Sequence, residues 1–115
     1  DDLRGLLAES AQGMWMLTGT EQAEGPRVSR EISLEAYDAE SLLVVFLEEL
    51  LYLSEFEKIV FDGFSDLVIE GEKISGIMEG SALRSMEKEI KAVTFHNLAI
   101  HESERGLEVE IVFDV

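Results

Sequence analysis

A chain of 115 residues supports one hydrophobic core and is too short for a second domain, which excludes large multi-site enzymes. Asp plus Glu number 25 against 9 Lys plus Arg, a formal charge of -16; direct grip on a nucleic-acid backbone is therefore not expected, because such binding needs cations that neutralise phosphates. The absence of cysteine removes disulfides and thiolate metal ligation. No apolar run of about 18 residues and no basic-then-apolar leader appears, so a soluble cytoplasmic protein without membrane association is expected. An acidic surface suits divalent cations or a basic protein partner, with plain solubility as the competing explanation.

Asp1 and Asp2 lead into Leu3, Leu6, Leu7, Ser10, Ala11, Met14 and Leu17, a spacing of three and four that draws one stripe on a helix. Either aspartate can cap the positive helix end. Gly5 and Gly13 each cost roughly 1 kcal/mol against alanine, so this helix must lean on tertiary packing. Thr18-Gly19-Thr20 closes it, and 21–26 reads as a polar loop. Val28, Arg30, Ile32, Leu34 and Ala36 alternate with Ser29, Glu31, Ser33 and Glu35, the pattern of a strand with one wet face. Asp38 is a helix start signal, and Leu42 to Leu53 is apolar on most sides, which predicts a buried central helix. Lys58 to Phe64 reads as extended. Leu67 to Ile69 and Lys73 to Met78 flank Gly71-Glu72 as a hairpin, and Gly80 to Ser85 reads as a polar crossing.

The C-terminal third predicts a second hairpin, Glu89 to His96 with 107–113. In the last strand Leu107, Val109, Ile111, Phe113 and Val115 alternate with Glu108, Glu110, Val112 and Asp114, which puts Asp114 on the polar face. Val93 and Phe95 share a parity that Leu98 and Ile100 lack, so a bulge is expected near His96-Asn97. The same parity places Lys91 with Val93 on the core-facing side, from which its ammonium would snorkel outward. The whole reads as α+β, two layers, with two main helices packed on a largely antiparallel or mixed sheet.

Catalytic residues are not evident. There is no Gly-x-Ser-x-Gly elbow and no glycine-rich phosphate cradle, and His96 and His101 have no obvious serine-and-acid partner set. A hydrogen-bonded structural role is the commoner fate of such histidines. The strongest constellation for a hard cation is Asp114 beside the α-carboxylate of Val115, since calcium and magnesium take carboxylate oxygens. Two carboxylates make an incomplete site, and a solvated strand end competes with it.

Glu89-Ile90-Lys91-Ala92-Val93-Thr94-Phe95-His96, the hairpin after it and the terminal Val112-Phe113-Asp114-Val115 resemble the archease family. Phe46-Leu47-Glu48-Glu49-Leu50-Leu51 is similar to that family's long helix, and Asp2-Leu3 through Met16 to its first. The resemblance implies a single archease-like domain over 1–115. It also implies a non-enzymatic activator or chaperone of the RtcB-type tRNA-splicing RNA ligase, promoting guanylylation of the ligase by GTP and its multiple turnover. The family's cation site maps onto Asp114 and Val115, with calcium the expected ion and magnesium or manganese as alternatives. A functionally important lysine maps onto Lys91, which lies inside the matched motif, with Lys88 as the alternative, and His96 is a further possible site residue as a metal ligand or base. Two departures stand out: the family's opening strand with its His-Thr-Ala-Asp motif, whose aspartate completes the cation site, is not in this sequence, and Phe95 stands where a tyrosine is common. The rival expectation is a stand-alone calcium-binding or acidic protein-interaction domain.

Overall fold

The computed structural model describes residues 2–94, 100–104 and 106–114. Helix α1 (Leu3–Leu17) starts where Asp2, in an extended conformation, accepts the Gly5 N–H at 2.8 Å. It ends where the Thr18 hydroxyl turns back onto the Met14 and Trp15 carbonyls, and Gly19 takes a φ of 63° that releases the chain from the helix. Helix α2 (Ala39–Phe56) is capped in the same way, with the Ser41 N–H on the Asp38 carboxylate at 2.7 Å. It runs about one turn beyond the apolar stretch at each end. Those outer turns, with Glu40, Glu55 and Phe56, carry no apolar stripe to signal them. Lys58, at φ 59°, is the left-handed residue that ends the helix and turns the chain into the sheet.

Four strands form the main sheet: β1 (Glu21–Gln22), β2 (Val28–Glu35), β3 (Ile59–Glu70) and β4 (Lys73–Ser85). Strand β4 is central, pairing antiparallel with β2, β3 and β1. The hairpin about Gly71-Glu72 is as expected. Two expectations are corrected: Gly80 to Ser85 is not a crossing but the far half of β4, and Glu21–Gln22 leave the polar loop to pair with Leu83 and Ser85. Polar side chains hid both: Ser81, Arg84 and Ser85 break the apolar alternation, and the strand is held there by backbone pairing. Close approach is the reason for Gly80, which faces Val28 on one side and Phe61 on the other.

Further along, β5 (Ala92–Thr94) pairs antiparallel with β8 (Val112–Asp114), while β6 (His101–Ser103) pairs with β7 (Gly106–Glu108). The expected single strand over 107–113 is therefore two strands, since the chain changes partner between Glu108 and Val112. Its apolar parity survives the break: Leu107, Val109, Ile111 and Phe113 are all half-buried, and the last three pack against the core. The expected bulge at His96-Asn97 lies outside the described residues.

Both helices cover the sheet and contact each other, giving the α+β two-layer architecture, and every described strand pair is antiparallel. Leu7, Met14, Leu42, Phe46 and Leu47 from the helices meet Phe61, Leu67, Ile74 and Met78 from the sheet in a single core. Phe46 and Phe64 pack edge-on at 5.3 Å, and the Trp15 indole N–H donates to the Phe61 carbonyl at 3.0 Å. Among the described residues no helix is long and apolar enough to cross a membrane.

Candidate functional site

The β5–β8 pair gathers two of the residues that the sequence singles out. Its register sets Ala92 opposite Asp114 and Val93 opposite Phe113, so Lys91 immediately precedes the residue that faces Asp114. Both therefore belong to one tip of the sheet. Val115 and His96 lie outside the described residues, while His101 opens β6 opposite Glu108.

Strand parity misplaces Lys91. It is exposed, whereas its neighbours Ile90 and Val93 are buried. The ladder begins only at Ala92, so the pleat that governs Val93 does not reach Lys91. Lys88 is exposed too, but sits elsewhere: its backbone N–H and that of Glu87 donate to the Thr18 carbonyl at 3.0 and 2.9 Å, fastening this stretch to the end of α1. Lys91 instead lies beside α2, in a groove walled by Glu48, Tyr52 and Glu55. The hairpin is tied to the other end of α2 by the Ile100 N–H, which donates to the Glu40 carboxylate at 3.0 Å.

Among the described residues no three His, Asp or Glu side chains converge as a metal site. Calcium takes about six to eight oxygen ligands, so the expected pair of Asp114 and Val115, of which Val115 lies outside the described residues, would be only part of such a shell.

The charged groups with shifted proton affinity are structural. The Arg30 guanidinium forks onto Glu57, with Nη1 to Oε2 at 3.0 Å and Nη2 to Oε1, and holds that carboxyl below the usual range. The same hydrogen bond raises the affinity of Arg30 for its proton, and its guanidinium lies 5.9 Å from the centre of the Phe61 ring. Arg27 bonds Asp62 at 2.6 Å. Asp38 is lowered by the Ser41 hydroxyl and N–H, and Asp2 by the Gly5 N–H, as expected of carboxylates at helix starts. None of these groups sits with a nucleophile in an enclosed cavity, so the described residues assemble no catalytic constellation.

One surface feature escaped the sequence. Tyr52 and Phe56 stand out from α2 with 53% and 65% of their area exposed, their ring centres 4.7 Å apart. Tyr52 falls within the stretch that reads as buried. The i, i+4 spacing of two aromatics on the face that carries Glu48 and Glu55 was the available signal.

The sequence matches the model of the Archease protein family over residues 1–115. It is 36% identical over 108 residues to the protein archease of Methanosarcina mazei, covering 87% of this chain and 73% of that one. With the protein archease of Methanosarcina barkeri it shares 40% identity over 95 residues, 76% of this chain and 65% of the relative. The fold is similar to the crystal structure of an archease, "possible chaperone", from Thermotoga maritima (TM-score 0.66, 19% identity, 94% of this chain and 80% of that one). It is also similar to the solution structure of Methanobacterium thermoautotrophicum protein 1598 (TM-score 0.67, 21% identity, 100% of this chain and 86% of that one).

Proposed function

Because the chain belongs to the Archease family, we propose that it is an accessory protein of an RtcB-type tRNA-splicing RNA ligase, acting in the cytoplasm to raise the ligase's guanylylation by GTP and its multiple turnover. The GTP chemistry belongs to the partner. This assignment is in keeping with an acidic chain whose sequence carries neither a Gly-x-Ser-x-Gly elbow nor a glycine-rich phosphate cradle. The observation that carries it to residues is the β5–β8 register, which favours a joint role for Lys91 and Asp114 at one sheet tip. There Asp114 and the Val115 carboxylate would hold a divalent cation, with calcium preferred, that supplies positive charge for phosphate oxygens; water or the docked ligase would complete its shell. Lys91, exposed beside that tip, presents an ammonium that can pair with a phosphate or carboxylate of the ligase complex. Lys88, fastened at the end of α1, takes no part in this arrangement.

The test is guanylylation of the purified ligase under multiple turnover. Asp114→Ala and Lys91→Ala should each lose most of the stimulation while Lys88→Ala keeps it. Full stimulation by Asp114→Ala would refute the cation role, and no stimulation by the unmodified protein would refute the assignment itself.

A further inference from the structure

The C-terminal half of α2 and residues 86–93 enclose a continuous groove, in which Leu51, Glu55 and Ile90 are shared by two adjoining hollows. We infer that this groove is the docking surface for a cationic segment of the partner protein, whose arginine or lysine side chains lie over Tyr52 in the groove wall and over Phe56 stacked just outside it. The inference rests on the ligase assignment for the identity of the partner. The surface chemistry itself comes from the groove.

Three observations carry it. First, the α2 residues that face the core, such as Leu50 and Leu53, are 0% and 4% exposed, so the helix has an ample buried face and Tyr52 and Phe56 are not needed there. Two aromatic rings in contact but left in water form an apolar patch that attracts cations to its π-faces and gains from being covered. Aromatic anchors of this sort carry much of the energy of protein interfaces. Second, the groove pairs an apolar floor, Leu51 and Ile90, with the carboxylates Glu48, Glu55 and Glu89. None of the ion pairs among the described residues uses these three, in contrast to Asp62 and Glu57, which are held by Arg27 and Arg30. Lys58 and Lys91 also reach the groove, yet carboxylates outnumber them, and the chain as a whole carries -16. A nucleic-acid backbone would be repelled, whereas a basic protein segment would be steered in. Third, Lys91 lies on the rim, so a partner seated here would contact the tip that carries Asp114.

The experiment is binding to the purified ligase at low and physiological salt, by calorimetry and by kinetic capture. Tyr52→Ala/Phe56→Ala should weaken binding at least about tenfold, the effect of losing interface anchors. Glu48→Gln/Glu55→Gln/Glu89→Gln should slow association and flatten its salt dependence. Val68→Ala/Ile77→Ala, which removes exposed aliphatics that do not line the groove, should bind within about twofold of the parent and sets the scale for a neutral surface change. All three variants alter exposed or rim residues, and their circular dichroism and melting temperatures confirm folding before binding is read. If the aromatic double variant binds within about twofold of the parent, or the glutamine variant keeps the full salt dependence, the groove assignment fails while the ligase assignment stands. If the unmodified protein does not bind the ligase, the ligase assignment fails and this inference falls with it.

Discussion

Replacing Gly80 with alanine tests the geometry at the centre of the sheet. Gly80 lies in β4 between Val28 and Phe61. A Cβ built on it would come to 2.8 Å from both the Phe61 Cα and the Val60 carbonyl carbon, and closer still to the Val60 carbonyl oxygen. Real Cβ atoms do not come within 3.0 Å of such neighbours. Every obstructing atom is backbone, so no flexible side chain can swing aside, and β3 must move away from β4. Overpacking of this kind costs about 1–3 kcal/mol, partly offset by about 0.4–1 kcal/mol from the stiffer unfolded chain. At the middle of both ranges the net is a destabilisation of about 1–2 kcal/mol. At about 4–8 °C per kcal/mol for domains slightly smaller than this one, the melting temperature should fall by roughly 5–15 °C. Thermal and urea melts followed by circular dichroism measure this, with Trp15 fluorescence reporting the Phe61 environment that must shift. A variant that melts at or above the parent temperature would refute the close approach of β3 and β4.

Gly13 has the opposite sign: it is exposed within α1, and a Cβ there meets nothing within 4 Å, so Gly13→Ala should stabilise by about 0.8–1.0 kcal/mol in the same melts. Trp15→Phe leaves the buried Phe61 carbonyl without its indole donor and should cost about 1–3 kcal/mol, read from the urea midpoint. The Arg30–Glu57 pair predicts a pH dependence. Glu57 has its carboxyl lowered in the folded state, so its contribution is fully present above the unfolded value of about 4.3 and is lost as pH falls through the lower folded value. The melting-temperature gap between the parent and Arg30→Met should hold from pH 7 to about pH 5 and close below about pH 4; the difference cancels the general easing of acidic repulsion that both proteins share. A gap independent of pH would show that Arg30 acts through packing on Phe61 rather than through the ion pair.

The pairing of the two stretches that carry Lys91 and Asp114 was legible in residue order, because each is a short run of contiguous residues with its own apolar alternation. What sequence missed there was orientation. Parity reasoning assumed that the pleat extended back to Lys91, but a strand's two-residue period holds only while its ladder lasts, and the ladder starts at Ala92. The Tyr52–Phe56 pair was missed for the reverse reason. A helix dense in leucine reads as buried on most sides, and only the position of the sheet decides how wide a side of it stays wet.

Taken alone, the sequence determined whatever local chemistry decides: an aspartate cap at Asp1 or Asp2, the helix start at Asp38, the alternation of β2, the turn at Gly71-Glu72, one core and an acidic surface. These depend on neighbours within a few residues, where side-chain spacing and backbone preference are visible. Tertiary structure alone decided that Gly80 to Ser85 is strand, that the last apolar run divides between two partners, and that a methyl is harmless at Gly13 but not at Gly80. Each of those outcomes is set by backbone from a distant part of the chain, and a contact of that range leaves no period in the sequence that makes it.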